Sequence, residues 1–217
     1  MNEFYPEGFK PKAKRSIITT ALLAEAKVQQ TVLEAPVIMC DASHNLIVNL
    51  GCMRGIIPRN EGALGIDTGA TRDIALISRV GKTVSFVVTG FDEDKNGKPY
   101  ALLSRKTAQK LCLDYILNEK SAGDIIDAKI THFESFGAFC DIGCGINALL
   151  PIDNISVSRI PHPDVRFEVG DDIKVIIKSF DENGRATLSH KELLGTWEEN
   201  AEKFHIGETV SGIVRSV

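Results

Sequence analysis

The chain has 217 residues, 43% of them hydrophobic, and its 25 Lys and Arg against 29 Asp and Glu give a formal net charge of −4. This composition is that of an ordinary globular protein with room for one large domain or two small ones, and no apolar run approaches membrane-spanning length. The acidic balance excludes a protein that holds nucleic acid mainly by bulk electrostatic attraction, but not one that binds single strands by stacking in a local groove.

The N-terminal region, residues 1–28, is predicted to be a basic tail followed by a helix. Lys10, Lys12, Lys14 and Arg15 precede a short apolar stretch that Glu25 interrupts. We expect residues before about 20 to be flexible, and a short helix over Thr20 to Gln30 to lead into the first folded unit.

An internal repeat organises the rest of the chain. Val80 to Lys106 and Val169 to Lys191 share Val-Gly, an alternating strand, Phe-Asp-Glu, Asn-Gly and Leu-Ser-x-Lys. Asn-Gly between two strands is a strong hairpin signal. Upstream, Leu46 to Pro58 matches Ala138 to Pro151. The repeat predicts two units, residues 29–106 and 121–191, each with about five short strands at the spacing of an all-β barrel or sandwich.

Helices are predicted to join the units. Over residues 107–120, an apolar stripe with helical spacing is formed by Ala108, Leu111, Cys112, Tyr115 and Ile116. A second linker helix is expected within 192–204, where Thr196 and Glu199 form a capping box and Trp197 is a packing anchor. From His205 onward the sequence repeats the start of the second unit, so we expect residues 205–217 to begin a third unit that continues in a longer natural protein.

Phe136 and Phe139 flank Gly137 in the second unit, where the surrounding residues alternate as in a strand. Residues an odd number apart in a strand point to opposite faces. The two rings share a face only if the chain turns or bulges at Gly137, which glycine permits. Two rings presented together beside a turn are a candidate platform for base stacking. The alternative is that Phe139 lies in the core and that Asp181 and Arg185 merely form a hairpin.

The motif order of residues 121–191 resembles the RNA-binding repeat named after bacterial ribosomal protein S1. The elements are GDIIDAKIT, FESFGAF, a G-x-G turn, LLP, VGDDIKVII and DENGRATLS. Residues 29–106 resemble it more weakly, and SHKELLGTWEENAEKF is similar to the joint between its tandem repeats. The resemblance implies OB-fold barrels and a clostridial-type member of that multi-repeat family.

The resemblance also implies an RNA-binding patch of two aromatic residues, a His, an Asp and an Arg. In this sequence the aromatics are Phe136 and Phe139, the acid is Asp181 and the Arg is Arg185, whereas the His position falls on Pro151. Arg185 is suited to a phosphate or a base, and Asp181 to holding Arg185 or to accepting from a base amino group or a 2′-hydroxyl. Further contacts at the rim are expected from Lys129, His190 and Lys191.

The first unit lacks most of this patch. Ser43 and His44 stand near the position of Phe136, Ile47 replaces Phe139, Lys98 lies near the Arg185 equivalent, and Asp92 is aligned with Asp181. We therefore predict that the first barrel is a degenerate copy that binds RNA poorly and serves as a docking module.

Nothing in the sequence indicates catalysis or a cofactor. It has no P-loop, no Gly-x-Ser-x-Gly and no His-Glu-x-x-His motif. The five cysteines lack zinc spacing, and Cys140 and Cys144 with His132 leave a fourth ligand missing. We predict reduced thiols in a cytoplasmic protein, with no metal, cofactor, membrane or small-molecule substrate.

The sequence and the resemblance together predict a non-enzymatic protein that binds single-stranded RNA, with mRNA and the small ribosomal subunit as partners. The alternatives are a protein–protein adaptor, an accessory subunit of RNA decay or transcription machinery, and repeats that feed an enzyme elsewhere in a longer chain.

Overall fold

Alternating buried and exposed side chains build ten strands in the part of the chain that the computed structural model describes, which comprises residues 4–9, 17–195, 199, 202 and 205–209. They form two barrels in tandem. The first barrel consists of β1 (Leu33–Cys40), β2 (Leu46–Asn49), β3 (Arg54–Ile57), β4 (Thr83–Glu93) and β5 (Pro99–Ser104). The second consists of β6 (Ile125–Glu134), β7 (Gly137–Asp141), β8 (Asn147–Pro151), β9 (Asp172–Phe180) and β10 (Ala186–Ser189).

Both barrels are closed and share one strand order. The first runs β1-β2-β3-β5-β4 and the second β6-β7-β8-β10-β9 around the barrel. In each, the third and fifth strands pair in parallel and all other neighbours are antiparallel. This is the five-stranded arrangement of an OB-fold, so the prediction of a mainly β chain with two tandem barrels is confirmed.

Helices close the first barrel. Thr19 caps α1 (Thr20–Gln29) by accepting a hydrogen bond from the backbone N–H of Leu22, and the helix buries Leu23 and Ala26 against the core. The barrel interior is filled by aliphatic side chains around the fully buried Phe86. A single-turn helix, α2 (Ile74–Ile77), adds Leu76 to this core.

The third helix connects the barrels and packs into the second. α3 (Arg105–Glu119) starts at the end of β5, with the Ser104 hydroxyl accepting from the N–H of Thr107 at its N-terminus. Cys112 and Ile116 are buried in the second core, beside Ile130 and Leu150. α3 covers the region predicted to hold a linker helix, and it is an integral part of the second barrel.

The N-terminal residues pack between the barrels, which corrects the expectation of a flexible tail for residues 4–9. Glu7 is 8% exposed, and its carboxylate accepts from Arg105 Nε at 2.6 Å and from Arg105 Nη2 at 3.0 Å. Its backbone N–H donates to Asp141 Oδ2 at 2.7 Å, and the Tyr5 carbonyl accepts from the N–H of Cys144 at 2.9 Å. One short segment therefore binds both barrels, and sequence alone did not indicate it because an isolated Glu in a short segment forms no recognisable pattern.

A short 3₁₀ helix, Lys191–Leu194, follows β10. The predicted capping residue Thr196, the anchor Trp197 and the strand expected from Val210 lie outside the described residues.

Candidate nucleic-acid interface

The hairpin between β9 and β10 is built by Asp181. Its Oδ1 accepts from the backbone N–H of Asn183 and of Arg185, both at 2.8 Å, and Gly184 adopts a positive φ of 73°. Asp181 therefore fixes the backbone of Arg185, and the structure gives no ion pair between the two side chains. The exposed guanidinium of Arg185 is carried at the tip of a turn whose shape the neighbouring carboxylate determines.

Phe136 lies in the tight turn between β6 and β7 and is 53% exposed. Its carbonyl accepts from the N–H of Ile152 at 2.9 Å, which ties the turn to the end of β8. The turn or bulge that the sequence predicts at Gly137 does not fall on Gly137 itself. It pairs regularly with Pro151, and a Cβ at this position would lie 2.5 Å from the Leu150 carbonyl oxygen. Glycine is required here because two strands approach closely.

The bulge lies instead in β6, between Ile130 and His132. It places His132 opposite Phe139, and the two rings stack with centroids 4.5 Å apart and planes 8° from parallel. Phe136 meets Phe139 edge to face, with centroids 6.2 Å apart and planes at 85°. Phe139 is half-buried on the outer face of β7, not in the core. The platform thus has three rings, and His132 was not among the residues predicted from the sequence.

The hydrogen bonds around His132 define which ring nitrogen is available. The Thr131 hydroxyl donates to the Phe139 carbonyl at 3.0 Å and also lies 3.1 Å from His132 Nδ1. A hydroxyl has one proton to donate. Because the Thr131 hydroxyl donates its proton to the Phe139 carbonyl, the Thr131 oxygen accepts a hydrogen bond from the Nδ1–H of His132. In the neutral ring, Nε2 is then left as an acceptor on an exposed side chain.

Strand pairing orders the outer face of the second barrel. Phe139 pairs with Leu149 in β8, and Leu149 pairs with Thr187 in β10. Arg185 precedes Thr187 by two residues, in the turn just before β10. Phe136, Phe139 and Arg185 thus occupy the first loop, the second strand and the last loop of the barrel, the surfaces by which OB-folds bind oligonucleotides.

The three predicted rim residues lie around this face. Lys129 forms an ion pair with Asp172 at 3.2 Å and donates to the Gly8 carbonyl at 2.9 Å, so it belongs to a cleft between the barrels. His190 Nδ1 lies 2.9 Å from the Lys174 carbonyl oxygen and therefore donates to it. Lys191 donates to the Asp153 carbonyl at 3.0 Å. The partners of all three lie away from the Phe136–Phe139 pair, so each is a peripheral group.

The equivalent face of the first barrel carries aliphatic side chains where the second barrel carries its stacked rings, and Tyr100, two residues before Leu102, lies under the Arg54 guanidinium at 5.8 Å. The residues that pair successively across it are Met39, Ile47, Ile56 and Leu102. The matching hairpin is built by Asp94, whose Oδ1 accepts from Asn96 at 2.8 Å and from Lys98 at 3.0 Å. The residue equivalent to Asp181 is therefore Asp94 and not Asp92, because β4, with 11 residues, is two residues longer than its counterpart β9, with 9.

Three of the five cysteines, Cys112, Cys140 and Cys144, are free thiols buried in the fold. Burial raises the pKa of Cys140 to about 12, which opposes the thiolate that metal binding needs. No cluster of three or more His, Cys, Asp or Glu suited to a metal ion occurs among the described residues. In the same part of the chain, no helix has the length and apolarity needed to cross a membrane.

Comparison with known proteins relates the second barrel to a family. The model of the S1 RNA binding domain matches residues 119–191. The chain is 33% identical over 175 residues to small ribosomal subunit protein bS1 of Staphylococcus aureus (strain COL), covering 78% of this chain and 42% of that protein. The bS1 homolog of Bacillus subtilis (strain 168) is also 33% identical, over 78% of this chain and 43% of its own length. The chain therefore spans less than half of the curated relatives that it matches.

Among solved structures, the solution structure of GSP13 from Bacillus subtilis is similar to this chain. The match covers 42% of this chain and 73% of GSP13, with 21% sequence identity and a TM-score of 0.33.

Proposed function

The chain belongs to the family of proteins built from S1 RNA-binding repeats, and from this premise we propose that its second barrel binds single-stranded RNA on the platform formed by Phe136, Phe139 and His132. One observation carries the proposal. The three rings lie together on the face that OB-folds use for oligonucleotides.

The platform suits unpaired bases. Every base presents a π-face, and stacking on an aromatic side chain contributes about 1–3 kcal/mol per base with little dependence on sequence. Arg185 provides a cation for a phosphate or a second plane for a base. The neutral His132 ring offers Nε2 as an acceptor for a 2′-hydroxyl or a base amino group, which favours RNA over DNA.

The partners follow from the relatives. Proteins named small ribosomal subunit protein bS1 match most of this chain, so we infer that the RNA is mRNA and that the small ribosomal subunit is the larger assembly. This assignment places the protein in the cytoplasm. The matched family is one of RNA-binding domains, and we expect no catalytic activity from the two barrels.

A second candidate function, protein–protein adaptor, is favoured by the first barrel alone. Its equivalent face carries Met39, which is 50% exposed, and the neighbouring Ile38 is 55% exposed. Exposed aliphatic side chains in place of stacked rings suit a protein partner better than RNA. We assign docking to the first barrel and RNA binding to the second.

The test is fluorescence anisotropy of labelled single-stranded RNA with the full chain, Phe136→Ala and Arg185→Ala. We expect both variants to bind more weakly, by about 1–3 kcal/mol for Phe136→Ala. Lys98→Ala, at the matching turn of the first barrel, is the control and should bind like wild type. Equal binding by wild type and both variants would refute the platform, and absence of wild-type binding would favour the adaptor.

A further inference from the structure

A cleft of about 480 Å³ separates the barrels beside the platform. One wall is the turn between α2 and β4 in the first barrel, residues 78–83, and the other is formed by residues 129–132 and 169–170 of the second. Glu7 and Gly8 of the N-terminal segment line it from within.

Cations dominate this cleft. Lys82 is exposed and forms no ion pair in the part of the chain that the structure describes. Arg79 and Lys129 also line it, with side chains 23% and 21% exposed. The Glu7 carboxylate is already held by Arg105, which is itself buried.

The balance of charge in the cleft is therefore positive. Three cationic side chains, Arg79, Lys82 and Lys129, line the cleft against the carboxylates of Glu7 and Asp141, and Arg79 pairs with Glu7 at 3.3 Å. Asp141 adds less than a full negative charge near neutral pH, because burial and the nearby Glu7 raise its pKa. A local excess of positive charge on a chain whose net charge is −4 indicates an anionic occupant.

The cleft is continuous with the stacking platform. Thr131 and His132 line it, and His132 stacks on Phe139 with centroids 4.5 Å apart. A base that stacks on the free face of the His132 ring therefore has its sugar and phosphate at the mouth of the cleft. An RNA strand is the occupant that matches both features, since it carries planar bases and a phosphate at every step.

We propose that the cleft binds the phosphate backbone of the RNA strand whose bases stack on the His132–Phe139 pair, and that the first barrel contributes Lys82 and Arg79 to it. This inference rests on the proposed function. Because the cleft needs both walls, the first barrel supports RNA binding only when it is joined to the second, although its own OB-fold face lacks a platform.

The test compares Lys82→Ala with Lys95→Ala in the full chain. Both lysines are exposed on the first barrel, but Lys95 lies at the far hairpin between β4 and β5. Anisotropy with a single-stranded oligonucleotide RNA is measured from 50 to 200 mM salt. Loss of one phosphate contact should weaken binding by about two- to fivefold at low salt and reduce the slope of log K against log salt by about 0.7. Lys95→Ala should change neither quantity.

The outcomes separate the two proposals. If Lys82→Ala and Lys95→Ala bind alike while Phe136→Ala binds weakly, the cleft proposal is wrong and the platform stands. If wild type does not bind, or if Phe136→Ala leaves binding intact, the proposed function fails first. An exposed lysine has no structural contact to lose, so a changed salt slope in Lys82→Ala alone supports the cleft.

Discussion

His132 lies flat against Phe139, with ring centroids 4.5 Å apart and planes within 8° of parallel. One face of the Phe139 ring is therefore covered, and Phe136 approaches that ring edge to face at 6.2 Å. The flat surface offered to a base at this point is the outer face of His132. The family's histidine position falls on Pro151 in β8, whereas His132 lies in β6, on the other side of β7.

The first prediction follows from that stack. His132→Ala should weaken RNA binding by about 1–3 kcal/mol because the outer stacking surface is lost, whereas His132→Phe should retain most of the affinity because it restores a plane. The measurement is anisotropy with single-stranded RNA. His44→Ala, in a turn of the first barrel, is the control and should bind like wild type. Equal weakening by His132→Phe and His132→Ala would show that the ring nitrogen, not stacking, carries the interaction.

The second prediction concerns Asp181 and its first-barrel counterpart Asp94. Each carboxylate accepts two backbone N–H bonds within its own hairpin. Asp181→Ala and Asp94→Ala should each lower the free energy of unfolding by about 1–2 kcal/mol, since both remove the same turn contacts. Urea denaturation measures this loss. RNA affinity should fall only in Asp181→Ala, which releases the turn that carries Arg185; a matching fall in Asp94→Ala would contradict the assignment of RNA binding to the second barrel.

Sequence patterns predicted the parts of the fold and site that depend on neighbouring residues. Asn-Gly turns and strand alternation are local, so the two barrels, the hairpin of Asp181 and the Phe136–Phe139 pair could all be inferred. His132 could not be assigned to the platform. Without the one-residue bulge in β6, regular pairing from Ile130 with Cys140 would place Thr131, not His132, opposite Phe139.

The role of Glu7 was also beyond sequence reasoning. Its partners Arg105 and Asp141 are 98 and 134 residues away along the chain. No local pattern encodes such contacts, and a carboxylate near basic residues resembles any solvated charge. The register of a bulge and the partners of a lone buried charge both depend on tertiary packing.

The third prediction tests the close approach at Gly137. A methyl group there would lie 2.5 Å from the Leu150 carbonyl oxygen and 3.0 Å from Pro151 Cα, both backbone atoms that cannot move aside cheaply. Gly137→Ala should lower the free energy of unfolding by about 1–3 kcal/mol. Gly90→Ala in β4 is the matched control, because its Cβ would meet only the Leu102 side chain at an ordinary 3.6 Å. Thermal or urea unfolding distinguishes the two, and equal stability losses would disprove the backbone clash.

The fourth prediction concerns the ion pair between Glu7 and Arg105, whose side chains are each 4% exposed. Glu7→Gln removes the charge that compensates a buried guanidinium, so the free energy of unfolding should fall by about 3–5 kcal/mol. Asp67→Asn breaks the ion pair between Asp67 and Lys106, whose side chains are 49% and 33% exposed. This change should lower the free energy of unfolding by about 1 kcal/mol or less. Comparable losses in the two variants, measured by urea denaturation, would contradict the inter-barrel role of the N-terminal segment.

The last prediction uses two aspartates that build the same kind of loop in different surroundings. Asp41 and Asp141 each accept backbone N–H bonds from residues two and four positions ahead. Asp41 is accessible, and its hydrogen bonds from Asn45 lower its pKa. Asp141 is 3% exposed, and its burial, with the nearby Glu7 carboxylate adding to the effect, raises its pKa to about 7.

Opposite shifts give opposite dependences of stability on pH. Between about pH 4 and pH 7 the folded Asp141 holds a proton that the unfolded chain has lost, so its contribution to stability falls as the pH rises through that window, by at most about 1.4 kcal/mol per pH unit. The contribution of Asp41 to stability is present above the pKa of Asp41 in the unfolded chain and is lost as the pH falls through the lower pKa of the folded state.

The measurement is the free energy of unfolding of wild type minus that of each variant. For Asp141→Asn this difference should decrease from pH 4 to pH 7. For Asp41→Asn it should be constant over that range and decrease on further acidification. A difference for Asp141→Asn that stays level or rises across this window would show that the three backbone N–H donors to its carboxylate outweigh burial.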